Sequence, residues 1–180
     1  MKKILFLSCA LLLFIAQVWS DDEEKKTEVR EIKPYSYCCV EMTGSYEKHS
    51  EAFQMLYEQA GAQGLGMDFA PFGVYYSDPS QVAEAELKWE IGFELAEKAE
   101  VKAPLVLKEW PHELMAVALY EGPFSGEAFG LAHQKLSEWI VQNGYSVVGP
   151  SMEKYLSMPA QNNDGEWVGT IEIMLPVQKK

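Results

Sequence analysis

The chain has little cysteine, little histidine and little positive charge, and each scarcity removes a class of function. Of its three cysteines, Cys9 lies in the N-terminal apolar run and Cys38 and Cys39 are adjacent. Neighbours on a strand point to opposite faces, so a bridge between them would be strained. The pair reads as one buried and one partly exposed thiol, with an intermolecular disulfide or a redox role as the alternative. The three histidines, His49, His112 and His133, show no metal-ligand spacing and no partner nucleophile. No metal and no cofactor is expected, and helical periodicity sets His49 and His133 on solvated helix surfaces. Lys and Arg number 15 against 27 Asp and Glu, for a net charge of −12 without a basic stripe. Such a surface repels phosphate backbones, which makes nucleic acid a poor partner; the acidity itself serves solubility. Gly61, Gly64 and Gly66 stop a helix and do not form a phosphate-cradling loop.

Long apolar runs are also missing, apart from Ile4 to Ile15 behind Lys2 and Lys3. A membrane span needs roughly 17–25 residues. The charged, apolar order followed by Val18-Trp19-Ser20 instead predicts a secretory signal over residues 1–20, cleaved near Ser20, with export to the periplasm or beyond. A retained anchor is the alternative; Cys9 comes too early for lipid attachment. Cleavage takes the charge to −14 and leaves no stable membrane span. Residues 21–33, beginning Asp-Asp-Glu-Glu-Lys-Lys, have no apolar periodicity and are expected to form a disordered acidic leader. Residues 34–178 are then one ordinary domain, rich enough in Trp, Tyr, Phe and Met to build a core.

What this domain does contain is a repeat. Met42-Thr43-Gly44-Ser45-Tyr46, Phe53, Gly73-Val74-Tyr75-Tyr76-Ser77-Asp78-Pro79 and Trp89-Glu90-Ile91 are echoed in order by Leu119-Tyr120-Glu121-Gly122-Pro123-Phe124, Phe129, Lys154-Tyr155-Leu156-Ser157-Met158-Pro159 and Ile171-Glu172-Ile173. Each copy reads strand, helix, strand, strand. Strands are predicted over 35–42, 69–76, 87–96, 114–120, 147–157 and 167–175. Helices are predicted over 46–62 and from an N-cap at Ser125 to Gln142. The fold class is α+β: two tandem modules, about 34–97 and 110–178, related by a pseudo-twofold, with an antiparallel sheet and two main helices. The stretch 97–111 is read as a linker.

These signatures, with Glu153 opening the third of the second copy and Glu172-Ile173-Met174-Leu175-Pro176-Val177 closing the chain, resemble the GyrI-like small-molecule-binding domain, the effector-binding domain of AraC-type and MerR-type regulators. The resemblance covers nearly all of residues 35–177 and implies the same tandem, SOUL-like fold. In regulators the domain follows a DNA-binding unit and answers hydrophobic, often cationic or aromatic compounds. Only the signal and leader stand before it here, so a stand-alone exported binder is expected rather than a transcription factor.

The resemblance implies that Glu153 is a pocket acid meeting the positive part of a ligand. Glu153 and Tyr155 lie two apart on a strand and share a face. Glu172, on the face opposite Ile171 and Ile173, is expected to look into the groove, and its repeat partner Glu90 to join it there. Tyr75 partners Tyr155, Tyr46 partners Phe124, and Trp89, Trp110 and Trp167 are further aromatic candidates. The first copy has Gly73 where the second has Glu153, so one half supplies that acid.

Three readings follow. The first is a non-enzymatic binder of a hydrophobic, cationic or aromatic molecule. The second is a hydrolase of strained-ring compounds with Glu153 or Glu172 as general base. The third, haem binding as in proteins of similar fold, lacks a histidine in the groove. The oligomeric state is not encoded in these patterns.

Overall fold

The computed structural model describes residues 27–66, 68–97, 99–124 and 126–180. The signal segment, Cys9 and the expected cap Ser125 lie outside these residues. The elements are β1 (Thr27–Glu31), β2 (Tyr35–Thr43), α1 (His49–Gln63), β3 (Phe72–Tyr75), β4 (Lys88–Glu94), β5 (Val106–Trp110), β6 (Leu114–Pro123), α2 (Gly126–Gln142), β7 (Tyr145–Val147), β8 (Ser151–Tyr155), β9 (Ala160–Gln161) and β10 (Trp167–Lys179). A single 3-10 turn at Tyr46–Lys48, begun by the Ser45 hydroxyl accepting from the Glu47 N–H, leads into α1. Gly64, at φ 67° in the left-handed region, ends that helix as the glycine pattern predicts.

The sheet is antiparallel and runs β1-β6-β10-β8-β3-β4-β2-β5, with β7 and β9 attached to β10. Its inner six strands form a palindrome. The first module contributes β3-β4-β2, the second β8-β10-β6, and the seam lies between β3 and β8. The two modules also exchange their flanking strands: β1, which precedes the first, pairs with β6, while β5, which precedes the second, pairs with β2.

Both flanking strands correct expectations. Thr27–Glu31 is a paired strand, so the leader is not unstructured to residue 33, and Val106–Trp110 is a strand within the supposed linker. Each is short, mixes charged and apolar residues, and forms one edge of the sheet, where charge is favoured against further pairing. Gly122 and Pro123, beyond the predicted strand end at Tyr120, belong to β6.

Connection lengths dictate the curvature. Three residues join β1 to β2, and three join β5 to β6, although each pair is six strand positions apart. Such a connection reaches roughly 14 Å, whereas six flat steps would need about 29 Å. The sheet must therefore curl until its two ends meet. Inside the curl lies one core, with Tyr37, Cys39, Phe72, Val74, Trp110, Met115, Val117, Met152 and Met174.

The outer face carries the helices. Leu87, Trp89, Ile91, Phe93 and Leu95, alternate residues along the chain, all pack under α1 with Ala52, Leu56 and Ala60. Ile171, Ile173 and Leu175 pack under α2 with Leu136 and Ile140. Cys38 and Cys39 face opposite cores, and both are fully buried; neither is the partly exposed thiol expected.

Candidate ligand-binding site

At the seam Gly73 pairs with Glu153, and Tyr75 with Ser151. Alternation sends Gly73, Tyr75, Glu153 and Tyr155 to the outer face. There α1 rests on β2 and β4, and α2 on β6 and β10, leaving β3 and β8 as the strip between the helices. Tyr75 folds back over Gly73: a Cβ at Gly73 would sit 2.5 Å from the Tyr75 hydroxyl oxygen. The missing side chain is thus what lets Tyr75 lie across the seam.

The Tyr75 hydroxyl is 2.7 Å from His49 Nε2 and 3.0 Å from the Tyr155 hydroxyl. His49 Nδ1 contacts the Tyr46 carbonyl oxygen. A carbonyl can only accept, so Nδ1 carries the proton and Nε2 accepts from Tyr75. Burial holds the His49 pKa below its ordinary value, which keeps the ring neutral. Burial also raises both tyrosines, with the Glu153 charge adding to it, so their hydroxyls stay protonated. Tyr155 then has one proton for two acceptors, Tyr75 at 3.0 Å and Glu153 Oε2 at 3.5 Å.

Glu153 is left under-served. It is 8 % exposed, and its other carboxylate oxygen lies 3.2 Å from His133 Nε2. Among the described residues no lysine or arginine pairs with it. Aromatic rings from both modules flank the tyrosines beside it. Phe53 and Phe124 meet Tyr155 edge-on at 5.2 and 5.9 Å, and Tyr46 meets Tyr75 edge-on at 5.2 Å.

The other two candidate acids are elsewhere. Glu90 is 1 % exposed on the inner face, accepting from Tyr37 at 2.7 Å, Tyr76 at 3.0 Å and Lys108 at 2.5 Å. Burial opposes charge on Lys108, but hydrogen bonds to Glu41 and Glu90 outweigh it and raise its pKa. Glu172 also faces inward and pairs with Arg30 at 2.9 Å. The repeat does put both acids on one face, but Val74 and Met152 fill the strands between them, and no shared cleft forms. Each is neutralised by a cation from the exchanged flanking strand. Their expected place in the groove is therefore corrected.

Of the aromatic candidates, Tyr75 and Tyr155 form the network, while Tyr46 and Phe124 support it. Trp89 is core, its indole N–H donating to the Gly44 carbonyl at 3.0 Å. Trp110 belongs to the inner core and Trp167 is exposed. The two residues missed are His49 and His133, expected in water yet half-buried at the seam. The only available signal was position: His49 follows the strand exit at Ser45-Tyr46, and His133 stands one turn beyond Phe129.

Cavities of about 340 Å³ and about 420 Å³ open instead beside Lys108, the first against Tyr37, Tyr76, Trp110 and His112. Volume alone would favour that region over the ring-filled seam. Charge argues the other way, because the acid next to Lys108 already has its cation. Among the described residues no cluster of three or more His, Cys, Asp or Glu is placed to hold a metal, and no helix is long and apolar enough to cross a membrane.

A family model, the GyrI-like small molecule binding domain, matches residues 25–178. No curated protein sequence matches the chain. Among solved structures, the EcmrR C-terminal domain aligns at TM-score 0.69 and 16 % identity, covering 86 % of this chain and 98 % of that one. EcmrR in a complex with DNA aligns at 0.68 and 17 % over the same share of this chain, which spans only 57 % of that longer protein. A hydrolase encoded by lin2189 from Listeria innocua aligns at 0.63 and 15 %, covering 87 % and 97 %. SAV2435 bound to tetraphenylphosphonium aligns at 0.51 and 13 %, covering 84 % and 93 %. At these identities the structural neighbours share the fold.

Proposed function

Since the chain belongs to the GyrI-like small molecule binding domain family, we propose that it binds a hydrophobic organic cation at the seam, with Glu153 as the counter-charge. One observation carries this reading: a nearly buried carboxylate, reached by a tyrosine that packs between aromatic rings of both modules, with no lysine or arginine paired to it among the described residues. A buried, poorly paired carboxylate is costly. A bound cation offsets that cost, and the tyrosine and phenylalanine faces attract it further. Glu90 is the internal contrast, equally aromatic in surroundings but already paired with Lys108. SAV2435, which has this fold, binds tetraphenylphosphonium, a cation of this kind. The N-terminal charged-apolar order supports export, and the acidic balance supports a small molecule over nucleic acid as this domain's partner.

Hydrolysis is the second reading, favoured by the contact of Glu153 with His133, which would orient the carboxylate as a general base. Titration of the purified chain with tetraphenylphosphonium tests the first reading, which expects saturable binding that Glu153→Gln weakens. Turnover of a strained-ring electrophile that Glu153→Gln abolishes would support the second.

A further inference from the structure

The partner that Glu153 does have is a titratable one. His133 sits on α2, with Nε2 3.2 Å from Glu153 Oε1 and its ring edge-on to Phe129 at 4.9 Å between centroids. Phe129 is one turn earlier on the same helix, so the ring is braced toward the seam. The imidazole keeps 28 % of its surface in contact with water, enough to exchange a proton without opening the fold.

We propose that His133 is a built-in competitor for the ligand cation: when protonated it occupies Glu153, so the site releases cations as the surroundings become acidic. This rests on Glu153 being the ligand acid. Histidine is the side chain that ordinarily gains charge between about pH 5 and 8. A neutral His133 gives Glu153 at most one N–H and leaves its charge uncompensated. A protonated His133 supplies the full positive charge that a ligand would bring to the same oxygen. Ligand and proton then exclude one another, and by linkage each weakens the other equally.

The other groups facing this pair do not serve as alternatives. From β8 comes Tyr155, from β3 Tyr75, and from the α1 side Tyr46 and His49. The hydroxyls stay protonated, and His49 has both ring nitrogens engaged, by Tyr46 and Tyr75. On β10 the residue paired with Glu153 is Ile173. Glu127, Lys135 and Glu138 of α2 are exposed, and Lys154 and Glu172 point to the sheet's other face. His133 alone can place a proton on Glu153 without disturbing a neighbour.

Tetraphenylphosphonium is the suitable probe, because its charge does not change with pH. Its affinity for the full chain should fall about tenfold from about pH 7.5 to about pH 5.5. Calorimetry at about pH 6, in two buffers of different ionisation enthalpy, should register protons released on binding. In His133→Gln the two affinities should agree within about twofold and the proton release should vanish. Unchanged pH dependence in His133→Gln, or none in the wild type, overturns the competition while leaving Glu153 as ligand acid. Absence of binding at either pH, or a Glu153→Gln chain that binds like the wild type, overturns both.

Discussion

Gly73 stands directly opposite Glu153 across the β3–β8 pair, although the two are equivalent positions of the repeat. One half of the fold gives up its side chain where the other presents a carboxylate. Tyr75 uses the vacated space to reach Tyr155, and the network around Glu153 closes from both modules.

Gly73→Ala should therefore break the network without touching the acid. The added methyl would lie 2.5 Å from the Tyr75 hydroxyl and push that ring aside. A cost of about 1–3 kcal/mol is expected, as for other overpacked sites. Urea unfolding measures it, and Tyr75 displaced from His49 in a crystal structure of the variant would locate it.

Glu90→Gln should destabilise the fold as well, although Glu90 lies on the sheet's other face from Glu153. It leaves Lys108 with Glu41 as its remaining carboxylate and alters the acceptor that Tyr37 and Tyr76 share. Breaking a buried pair on one side costs about 3–5 kcal/mol when the partner is left uncompensated; since Lys108 reaches solvent and keeps Glu41, a cost below about 3 kcal/mol is expected. A midpoint of thermal unfolding unchanged from wild type would show that this pair is dispensable.

The division between what could and could not be read beforehand follows from one topological event. Alternation in Leu87–Leu95 and in Ile171–Leu175 fixed the outer core, because long strands covered by a helix on one face have a clean period of two. The asymmetry of Gly73 and Glu153 was visible as a repeat mismatch. Strands β1 and β5 were not visible, since five-residue edge strands carry no such period. Missing them misplaced Glu90 and Glu172, for Lys108 and Arg30 arrive on those very strands. The histidines were missed for a different reason. Helical periodicity tells which side faces the sheet, but not which residues border the gap between two helices.

His49 gives stability a pH dependence of known sign. Its folded pKa is depressed by burial, so below about pH 6.5 the unfolded chain takes up a proton that the folded ring resists. The stability is present above that pH and lost as the pH falls, by at most about 1.4 kcal/mol per pH unit. Unfolding curves at about pH 7 and pH 5 should show a smaller loss in His49→Gln than in the wild type. An equal loss in both would assign the effect to other groups.

Both cysteines should resist alkylation in the native protein. Burial pushes the Cys38 thiol up to about 11, and Cys39 higher still. Thiol labelling followed by mass spectrometry should show neither modified until denaturant is added. Native labelling of one of them would restore the partly exposed thiol that the fold removes.

Glu153, and not Glu172, is proposed as the group that meets the ligand's positive charge. Tetraphenylphosphonium affinity in Glu153→Gln and Glu172→Gln, each compared with the wild type at about pH 7.5, tests it most directly. At least a tenfold loss is expected in Glu153→Gln, about 1.4 kcal/mol, with Glu172→Gln within about twofold of wild type. Full affinity in Glu153→Gln with a loss in Glu172→Gln would contradict it and place the site on the sheet's other face.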